Sequence, residues 1–387
     1  MKQGKRGNIP ALAKADEACQ QLAVHPKQEV RDLIIARLAA KSWPTHIKRV
    51  GSLVSQTIAN GGLLRVPLTY YGGHTGRWGG SEGINLQNLG GEGRSGAEND
   101  ELIQMVKVLI GLPPGYKLGV ADSAQIEARV LAWLAGQQDL LDGFARGEDV
   151  YSIFASELFR CTVRKPRKTD PAPLYTALKI KRGFGKDAIL GAGYGMGATK
   201  FHGNCIKNPA LRPLFDSGQY NFKFVKGLVD FYRTKYAKIP AYWSAVEQAF
   251  RRVIRFPHLE VEVGCVTFRC VDGTVEIELP SSRVLYYRHA KIDRKGSIKW
   301  HHGTLWGGSI TENIDQSISR DLLGFWILEC ERAGLPVVLH VHDDIKTLLV
   351  QERAEELLAV QSGIMCSLPD WAEGLPVGVD SKLSDTL

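Results

Sequence analysis

Two acidic positions follow apolar runs that are typical of buried strands. Asp122 comes directly after Leu-Gly-Val-Ala, and Asp343 and Asp344 come after Val-Val-Leu-His-Val-His. A carboxylate at the tip of a buried strand is costly unless it is paired, hydrogen-bonded or bound to a cation. If the fold brings the two tips together, their oxygens would suit Mg²⁺, which prefers carboxylates together with phosphate oxygens and water. Taken singly, each aspartate is better explained as a turn or cap residue.

A third candidate is a basic, glycine-rich segment. Arg182, Lys186, Leu190 and Tyr194 recur every four residues, so on an α-helix they would drift by only about 40° per step and form one stripe. At a rise of ~1.5 Å per residue, the first and last would stand about 18 Å apart. Such a stripe offers cations for phosphates at one end and an aromatic ring for base stacking at the other. Five glycines between 183 and 195 argue against a plain solvated helix, because each costs helix stability.

The elements that would position these residues follow from apolar periodicity. It predicts a helix over 30–43 that Pro44 interrupts, a strand over 117–124, and a helix that ends at Gly136. The chain then reads as mainly helical to about residue 250 and as alternating strands over 258–290. A helix near 316–333 leads into a strand over 336–341, a turn over 342–346, an amphipathic helix and a tail with Pro and Gly. Helices inserted between pieces of one antiparallel sheet predict an α+β fold.

Length and composition set wider bounds. The chain has 387 residues, 44% of them apolar, and a formal charge of +8, which predicts two or three domains and permits a polyanionic partner without requiring one. No apolar run approaches the ~18 residues of a membrane span, and the N-terminus lacks a signal peptide. The seven cysteines are scattered without zinc-site spacing. We therefore expect reduced thiols, a cytoplasmic protein and no membrane partner.

The three segments resemble the polymerase motifs of family A DNA polymerases, the class of bacterial DNA polymerase I. Asp122-Ser-Ala-Gln-Ile-Glu-Ala-Arg129 is close to the family's D-Y-S-Q-I-E-L-R, and Val341-His-Asp-Asp344 is close to V-H-D-E. The segment from Arg182 to Gly195 fits the frame R-x3-K-x3-F-x3-Y-G.

Further matches stand in the family's order over roughly residues 33–380. Thr75-Gly-Arg77 matches the element T-G-R, Asn85-Leu-Gln-Asn88 matches N-L-Q-N, and Arg37-x3-Lys41 fits R-x3-K. The stretches over 147–159, 189–201 and 311–323 look like the phage branch of the family. Each motif alone is modest, but six in register make a strong joint resemblance.

The resemblance implies a right-hand polymerase with an antiparallel-sheet palm, helical fingers and a reduced helical thumb. The thumb remnant would occupy residues 1–60, the palm 61–136 and 256–387, and the fingers 137–255. A proofreading exonuclease site often begins with Asp-x-Glu, and no Asp of this chain is followed two positions later by Glu. We therefore expect neither an exonuclease domain nor most of the thumb.

The resemblance also implies roles for individual residues. Asp122, Asp343 and the carbonyl of Ser123 would hold two Mg²⁺ ions, with Mn²⁺ expected to substitute; one ion would activate the primer 3′-hydroxyl and the other would neutralise leaving pyrophosphate. Lys186 would grip phosphates and donate a proton to pyrophosphate. The other nucleotide-binding positions would be Arg182 on the phosphates, Tyr194 near the templating base, Glu127 against a ribose 2′-hydroxyl, and Gln125, Tyr151 and Leu190.

Contacts with DNA are assigned by the same resemblance. Arg77, Gln316 and His342 would meet the primer terminus and the minor groove, where correct base pairs share an acceptor pattern. Four further positions would contact DNA more loosely, namely Arg37, Lys41, Gln87 and Asn88.

Three residues depart from the family pattern. Leu190 replaces an aromatic residue, so sensitivity to dideoxy terminators is open. Tyr151 stands where bacterial members have a phosphate-binding His, and Asp344 replaces Glu, which leaves its part in metal or primer positioning open.

The implied function is template-directed DNA synthesis in phage replication, without proofreading by this chain and in the host cytoplasm. The partners would be primer–template DNA, dNTPs and a separate exonuclease or processivity protein, and we expect a monomer. One alternative is a single-subunit RNA polymerase, against which Glu127 argues because it would crowd the 2′ position. The other is a non-catalytic DNA-binding module, which would leave both acidic tips without a role.

Overall fold

The structure, a computed structural model, describes residues 2–4, 7–9, 16–23, 25–82, 85–88, 107–208 and 210–387. Residues 83–84 and 89–106, which follow the T-G-R element, therefore lie outside the described residues. The helices are α1 (Glu17–Ala23), α2 (Gln28–Ala59), α3 (Ile126–Ala135), α4 (Gln138–Ala145), α5 (Val150–Phe159), α6 (Ala172–Asp187), α7 (Ala198–Lys207), α8 (Arg212–Asp216), α9 (Phe222–Lys235), α10 (Lys238–Arg255), α11 (Gly307–Arg332) and α12 (Ala354–Met365).

The strands fall into several antiparallel sheets. They are β1 (Lys2–Gly4), β2 (Gly7–Ile9), β3 (Leu68–Thr69), β4 (Gly79–Gly80), β5 (Tyr116–Ser123), β6 (Val261–Val263), β7 (Val266–Val271), β8 (Thr274–Glu278), β9 (Val284–Tyr287), β10 (Lys291–Ile292), β11 (Ile298–Trp300), β12 (Gly303–Leu305), β13 (Val337–Val341), β14 (Asp344–Val350) and β15 (Val379–Ser384). Short 3-10 turns occupy Leu86–Asn88, Gln351–Arg353 and Asp370–Ala372.

The acidic strand tips lie on a four-stranded sheet in the order β13-β14-β5-β15. β5 is central, and its register with β14 runs from Asp122 opposite Asp344 to Tyr116 opposite Val350. β15 pairs with the other edge of β5. The tail with Pro and Gly thus contains a strand, and Pro376 and Gly378 stand before this strand rather than inside it.

The prediction of a mixed α+β fold is confirmed, but the prediction of one interrupted sheet was wrong. The residues 261–287 form their own four-stranded sheet in the order β6-β7-β8-β9, and β10-β11-β12 form a third. Each of these sheets pairs strands that follow one another along the chain, so short hairpins close them locally. Helix α11 begins at Gly307, earlier than predicted. The turn predicted over 342–346 is shorter, because β14 already begins at Asp344.

Helix α2 continues through Pro44, where an interruption was predicted. Proline has no N–H to bond the carbonyl four residues earlier, and it normally bends or ends a helix. The residue that carries that carbonyl, Ala40, is exposed, so water can bond the carbonyl that the proline leaves free. Among the described residues, no helix combines the length and apolar character that crossing a membrane requires. All seven cysteines are free thiols.

Two large cores meet at helix α3. Its residues Ile126, Val130 and Leu134 pack with the strands β6–β9 and with α11. Its residues Leu131 and Ala132 belong instead to the core built on the helices α4–α9. Because positions four apart share one face of a helix, α3 buries two faces in two bodies, and it lies directly after the strand that carries Asp122.

Arg129 fastens this junction. Its side chain is 6% exposed, its Nε donates to the Ala124 carbonyl at 2.7 Å, and its Nη1 donates to the Pro376 carbonyl at 3.1 Å. The guanidinium also lies 4.6 Å from the ring centre of Phe144 on α4. One cation therefore joins the end of β5, the segment before β15 and the helical body.

We predict that Arg129→Leu lowers the free energy of unfolding by about 3 kcal/mol, because the two carbonyls lose their donor in a largely buried setting. Urea unfolding followed by circular dichroism measures this loss. Arg353→Leu is the matched control, since it removes an exposed arginine whose partner is the exposed Glu356. Equal losses in the two variants would contradict the structural role of Arg129.

Candidate active site

The hairpin β13–β14 brings three carboxylates together beside the end of β5. Asp122 and Asp344 stand directly opposite in the sheet register, and opposite residues of an antiparallel pair project from the same face, with Cβ atoms about 5 Å apart. Asp343 precedes Asp344 in the turn, and its carbonyl accepts a 2.8 Å hydrogen bond from the Ser123 N–H. The two strand tips therefore meet.

The electrostatics of these tips favour a cation. Burial, followed by the charges of Asp122, Asp344 and Glu127, raises the pKa of Asp343 to about 7. The Oδ1 atom of Asp344 is buried without a hydrogen-bond partner among the described residues. Crowded carboxylate oxygens with unused lone pairs are the donor set that Mg²⁺ or Mn²⁺ takes.

The donor set suits an ion that shares its coordination with substrate. Within the described ranges, no three His, Cys, Asp or Glu side chains are grouped so as to hold a metal by themselves. Mg²⁺ usually binds through one or two carboxylates together with substrate phosphates and water. The residues therefore fit a magnesium site that is completed by substrate, with Asp122 and Asp343 as its protein side chains.

Lys346 is a residue that the sequence analysis missed. Its Nζ forms a 2.5 Å ion pair with Oδ2 of Asp344, and both side chains are largely buried. A lysine inside the apolar strand Asp-Ile-Lys-Thr-Leu-Leu-Val was the available signal, because a buried lysine needs a partner. The negative charge of Asp344 is thus paired with the ammonium group of Lys346, which distinguishes Asp344 from Asp343.

The segment from 182 to 194 is not one straight α-helix, so the prediction of a single stripe was wrong. Arg182 and Lys186 lie on α6, but residues Ala188–Ala192 form a π-turn. A π-turn bonds residues five apart and advances less around the axis per residue than an α-helix. Leu190 lies within this wider turn and Tyr194 lies after it, so their directions no longer follow the four-residue repeat.

The cationic end of the segment presents two different side chains. Arg182 donates to both carboxylate oxygens of Asp149, from Nε at 2.6 Å and from Nη2 at 3.1 Å, and it lies 5.3 Å from the ring centre of Tyr151. Lys186 is exposed and forms no ion pair within the described residues. Lys186 is therefore the more available of the two for an incoming anion.

Tyr151 packs its ring against the guanidinium of Arg182. Its side chain is 5% exposed, so the structure gives it contact with Arg182 rather than open surface. The neighbouring Gly185 permits this packing, since a Cβ there would stand 2.2 Å from the Tyr151 carbonyl oxygen. Direct contact between Tyr151 and a triphosphate stays a prediction.

The backbone conformation and the packing at position 195, directly after Tyr194, both require a glycine. Its φ of +78° lies in the left-handed region, and a Cβ there would stand 2.0 Å from the Trp306 ring. Close packing thus explains why Gly185 and Gly195 must be glycines. At Gly183 an added Cβ would meet nothing within 4 Å, so packing does not explain that glycine.

Glu127 lies beside the loop that carries the T-G-R element. Its Oε1 accepts a 2.5 Å contact from Nη2 of Arg77. The loop itself is anchored by two arginines missed from the sequence: Arg283 donates to the Thr75 carbonyl at 3.1 Å and Arg320 donates to the Gly76 carbonyl at 2.9 Å. The carboxylate of Asp321 is paired with both arginines, so the loop geometry is fixed from α11.

Tyr194, at the aromatic end of the segment, also lies beside Glu127. The Tyr194 hydroxyl lies 3.3 Å from the Glu127 carbonyl oxygen and donates a hydrogen bond to Asp315 of α11. Asp315 is fully buried and was not predicted as a site residue. Gln316, the next residue, is half-buried, and its amide donates to Glu312 at 3.3 Å. Gln125, at the start of α3, has φ +58° and a buried Oε1.

The predicted DNA contacts are unequally accessible. Arg37 and Lys41 are exposed on α2, whereas the Gln87 side chain is only 6% exposed in the turn Leu86–Asn88. Asn88 ends that turn, and its side chain lies outside the described residues. His342 has φ +56° at the tip of the hairpin, next to Asp343. The accessibility favours Arg37, Lys41 and His342 over Gln87 as direct contacts.

A basic surface on the third sheet was also missed. Arg288, Lys291, Arg294 and Lys295 are exposed, and none forms an ion pair within the described part of the chain. The sheet abuts the loop of Arg77, because the His74 ring lies 4.5 Å from the Trp300 ring, centre to centre. The run Arg-His-Ala-Lys-Ile-Asp-Arg-Lys was the available signal, and it offers cations to a polyanion.

The chain is similar to known proteins in sequence and in fold. The family model for DNA polymerase family A matches residues 5–259. A DNA polymerase of Bacillus phage SP02 is 31% identical over an alignment of 300 residues that covers 73% of this chain and 43% of that protein. DNA polymerase I of Chloroflexus aurantiacus is 29% identical over 200 residues, 51% of this chain and 19% of that protein. The chain spans less than half the length of these relatives.

A solved structure extends the likeness to the second acidic tip, which lies beyond the matched family model. The polymerase domain of Pol1 from M. smegmatis, in complex with DNA primer-template and dNTP, has a TM-score of 0.65 and 18% identity, covering 100% of this chain and 57% of that one. At this identity the likeness shows the fold. The predicted right-hand α+β class is therefore confirmed.

The crowding of Asp343 predicts a pH-dependent stability. Its pKa is raised from 3.8 to about 7, so the folded state binds more protons than the unfolded state between these values, and stability falls as the pH rises through them. In chelator, Asp343→Asn should therefore exceed the wild type in stability by a few kcal/mol at pH 8, and the difference should vanish near pH 4. Thermal unfolding across this pH range measures it.

The same comparison tests the cation site. Millimolar Mg²⁺ at pH 8 should raise the melting temperature of the wild type more than that of Asp343→Asn. Equal stability at pH 8 in chelator would mean that the carboxylates are not crowded, and equal Mg²⁺ responses would exclude Asp343 as a ligand.

Proposed function

The chain belongs to DNA polymerase family A, and on this premise we propose that it extends a DNA primer by template-directed addition of dNTPs, with release of pyrophosphate. The observation that carries the proposal is the meeting of Asp122 and Asp343 at the paired ends of β5 and the β13–β14 hairpin. That meeting supplies a crowded carboxylate site, and we propose that the cationic segment of α6 supplies the side chains that bind the phosphates.

The divalent cations of such a site polarise the primer hydroxyl and stabilise the charge of the departing pyrophosphate. Asp122, Asp343 and the backbone of Ser123 would hold them. Lys186, exposed and without an ion pair in the described residues, binds the triphosphate and stands ready as the proton donor to pyrophosphate. Arg182 joins it on the phosphates when its bond to Asp149 is exchanged for one to the nucleotide.

The other residues select and orient the substrates. Glu127, fixed by Arg77, lies at the start of α3 and excludes a 2′-hydroxyl by occupying its volume. Tyr194 stacks near the templating base, and Leu190 and Gln125 border the nucleotide. Arg77, Gln316 and His342 contact the primer terminus, and Arg37 and Lys41 contact phosphates, as do the exposed cations of the third sheet.

We assign the parts of the right hand by the same reasoning. Residues 1–60 form the thumb segment, 61–136 and 256–387 the palm, and 137–255 the fingers. The two cores support this division up to α9, since one collects the helices α4–α9 and the other gathers around the strands β6–β9 and α11. Helix α10 packs mainly in the second core, so it links the assigned fingers to the palm. The phage relative supports a role in phage replication. We further propose that the chain acts in the host cytoplasm as a monomer, with primer–template DNA, dNTPs and a separate exonuclease or processivity protein as partners.

We predict that Asp122→Asn and Asp343→Asn each reduce nucleotide incorporation by about 10³-fold or more, because each removes an anionic ligand from the cation site. Primer extension with Mg²⁺ measures incorporation, and fluorescence anisotropy measures primer–template binding. Binding should be unchanged or slightly tighter, since one negative charge fewer faces the DNA.

Asp272→Asn is the matched control for these variants. Asp272 lies in the turn between β7 and β8 with φ +48°, a conformation that Asn also tolerates. It should extend primers like the wild type. Loss of binding in parallel with incorporation would assign Asp122 and Asp343 a structural role, and no incorporation by the wild type would reject the polymerase in favour of a DNA-binding module.

We predict that Glu127→Ala lowers the preference for dNTPs over ribonucleotides by roughly tenfold or more, because it vacates the volume that a 2′-hydroxyl would enter. Glu127→Gln keeps that volume and should keep most of the preference. Single-nucleotide incorporation with each sugar measures the ratio of kcat/KM values. A wild type that prefers ribonucleotides would instead identify an RNA polymerase, and an unchanged preference in Glu127→Ala would refute the steric role.

A further inference from the structure

Asp315 is a buried carboxyl group that the proposed chemistry does not use. It lies on α11 with 0% of its surface exposed, where a carboxyl without partners would be costly. Its partners are two hydroxyls: Tyr194 donates to Oδ2, and Ser319 donates to Oδ1 at 3.4 Å. The free-energy cost of burying Asp315 is therefore offset chiefly by its hydrogen bond with the Tyr194 hydroxyl.

The contact joins the two bodies of the fold. Tyr194 packs against the core of the helices α4–α9, whereas the neighbours of Asp315 on α11, Ile314 and Ile318, belong to the other core. The same hydroxyl lies 3.3 Å from the Glu127 carbonyl oxygen, at the start of the helix that both cores share. The Tyr194 oxygen thus contacts both the Asp315 carboxyl group on α11 and a backbone carbonyl at the start of α3.

We propose that Asp315 is a positioning residue that holds the Tyr194 ring in the orientation used for nucleotide and template binding. This inference rests on the proposed function. A tyrosine that follows a π-turn and precedes a glycine with positive φ has little helical support of its own. A bond at the far end of its ring supplies the missing constraint, so the binding-competent orientation is more fully populated.

The protonation of Asp315 is consistent with this arrangement. Burial, and then the nearby charge of Glu127, raise the pKa of Asp315 well above its ordinary range. A neutral carboxyl keeps acceptor capacity on its oxygens, so the Tyr194 hydroxyl can still donate to it. The bond between Tyr194 and Asp315 therefore does not require a charged carboxylate.

The experiment compares two substitutions of Asp315 in single-nucleotide incorporation. Asp315→Leu removes the bond, and we expect the KM for dNTP to rise by roughly three- to tenfold, with a smaller change in kcat, because the free ring spends less time in the competent orientation. Asp315→Asn keeps an acceptor oxygen for the Tyr194 hydroxyl and should restore most of the wild-type KM. Replacing a buried carboxyl by an apolar side chain is compatible with folding, and thermal unfolding verifies it.

A double-mutant cycle separates positioning from general disturbance. Tyr194→Phe keeps the ring and deletes the hydroxyl, so it should raise the KM as Asp315→Leu does, and the two changes together should raise it no further. Thr311→Val is the control on the same helix, because the buried Thr311 hydroxyl has no hydrogen-bond partner among the described residues. It should leave the KM unchanged.

Each other outcome contradicts the role of Asp315. An unchanged or lower KM in Asp315→Leu would mean that the bond does not favour nucleotide binding. An equal effect of Asp315→Leu in the wild-type and Tyr194→Phe backgrounds would mean that Asp315 acts by another route. No incorporation by the wild type would reject the proposed function itself, which distinguishes that failure from a failure of the positioning role.

Discussion

The antiparallel pairing of β5 with β14 is the constraint on which the rest of the site depends. It sets Asp122 opposite Asp344 and puts Asp343 in the adjoining turn, with the Ser123 N–H bonded to the Asp343 carbonyl. A shift of one residue in this register would turn each side chain to the other face of the sheet. The mutual repulsion of the carboxylates opposes the pairing locally, so the apolar remainder of the strands and β15 on the other edge must outweigh it.

The second contributor to the site comes from a different core, and helix α3 relates the two. α3 follows β5 directly and buries one face in each body, and Arg129 ties its first turn to both the helical body and the segment before β15. The polymerase chemistry proposed here needs carboxylates and cations from opposite sides at a set distance. Helix α3 packs in both cores and is held by the buried Arg129, so it can set this distance without a large polar interface.

Much of the fold could be predicted from the sequence. The strand before Asp122, the helix ending at Gly136 and the helical character up to residue 250 follow from strong apolar periodicity and a left-handed glycine cap. The meeting of Asp122 with Asp343 required a pairing between distant strands, which periodicity alone does not state. The family resemblance carried that step.

What the sequence did not reveal depended on tertiary contacts. The strand β15 gains its partner only from β5, and α2 passes through Pro44 because the affected carbonyl is open to solvent. The π-turn has no pattern in the residue types, and Arg283, Arg320 and Asp315 acquire their roles from partners far away in the chain. Each is visible in the sequence as a charged residue, but its partner is not. Lys346 differs, because its partner Asp344 is only two residues away and the lysine stands within an apolar strand.

The π-turn over Ala188–Ala192 separates Lys186 from Tyr194, and it lets this stretch accept a change in length. Five residues wound in a π-turn advance around the axis by about as much as four residues of an α-helix, which turns by about 100° per residue. Losing one residue there would therefore let the turn relax to α-helical winding while the segments on either side keep nearly the same relative direction. A one-residue gap in an alignment at this turn would mark a change of local winding that leaves both the phosphate-binding end and the tyrosine in place.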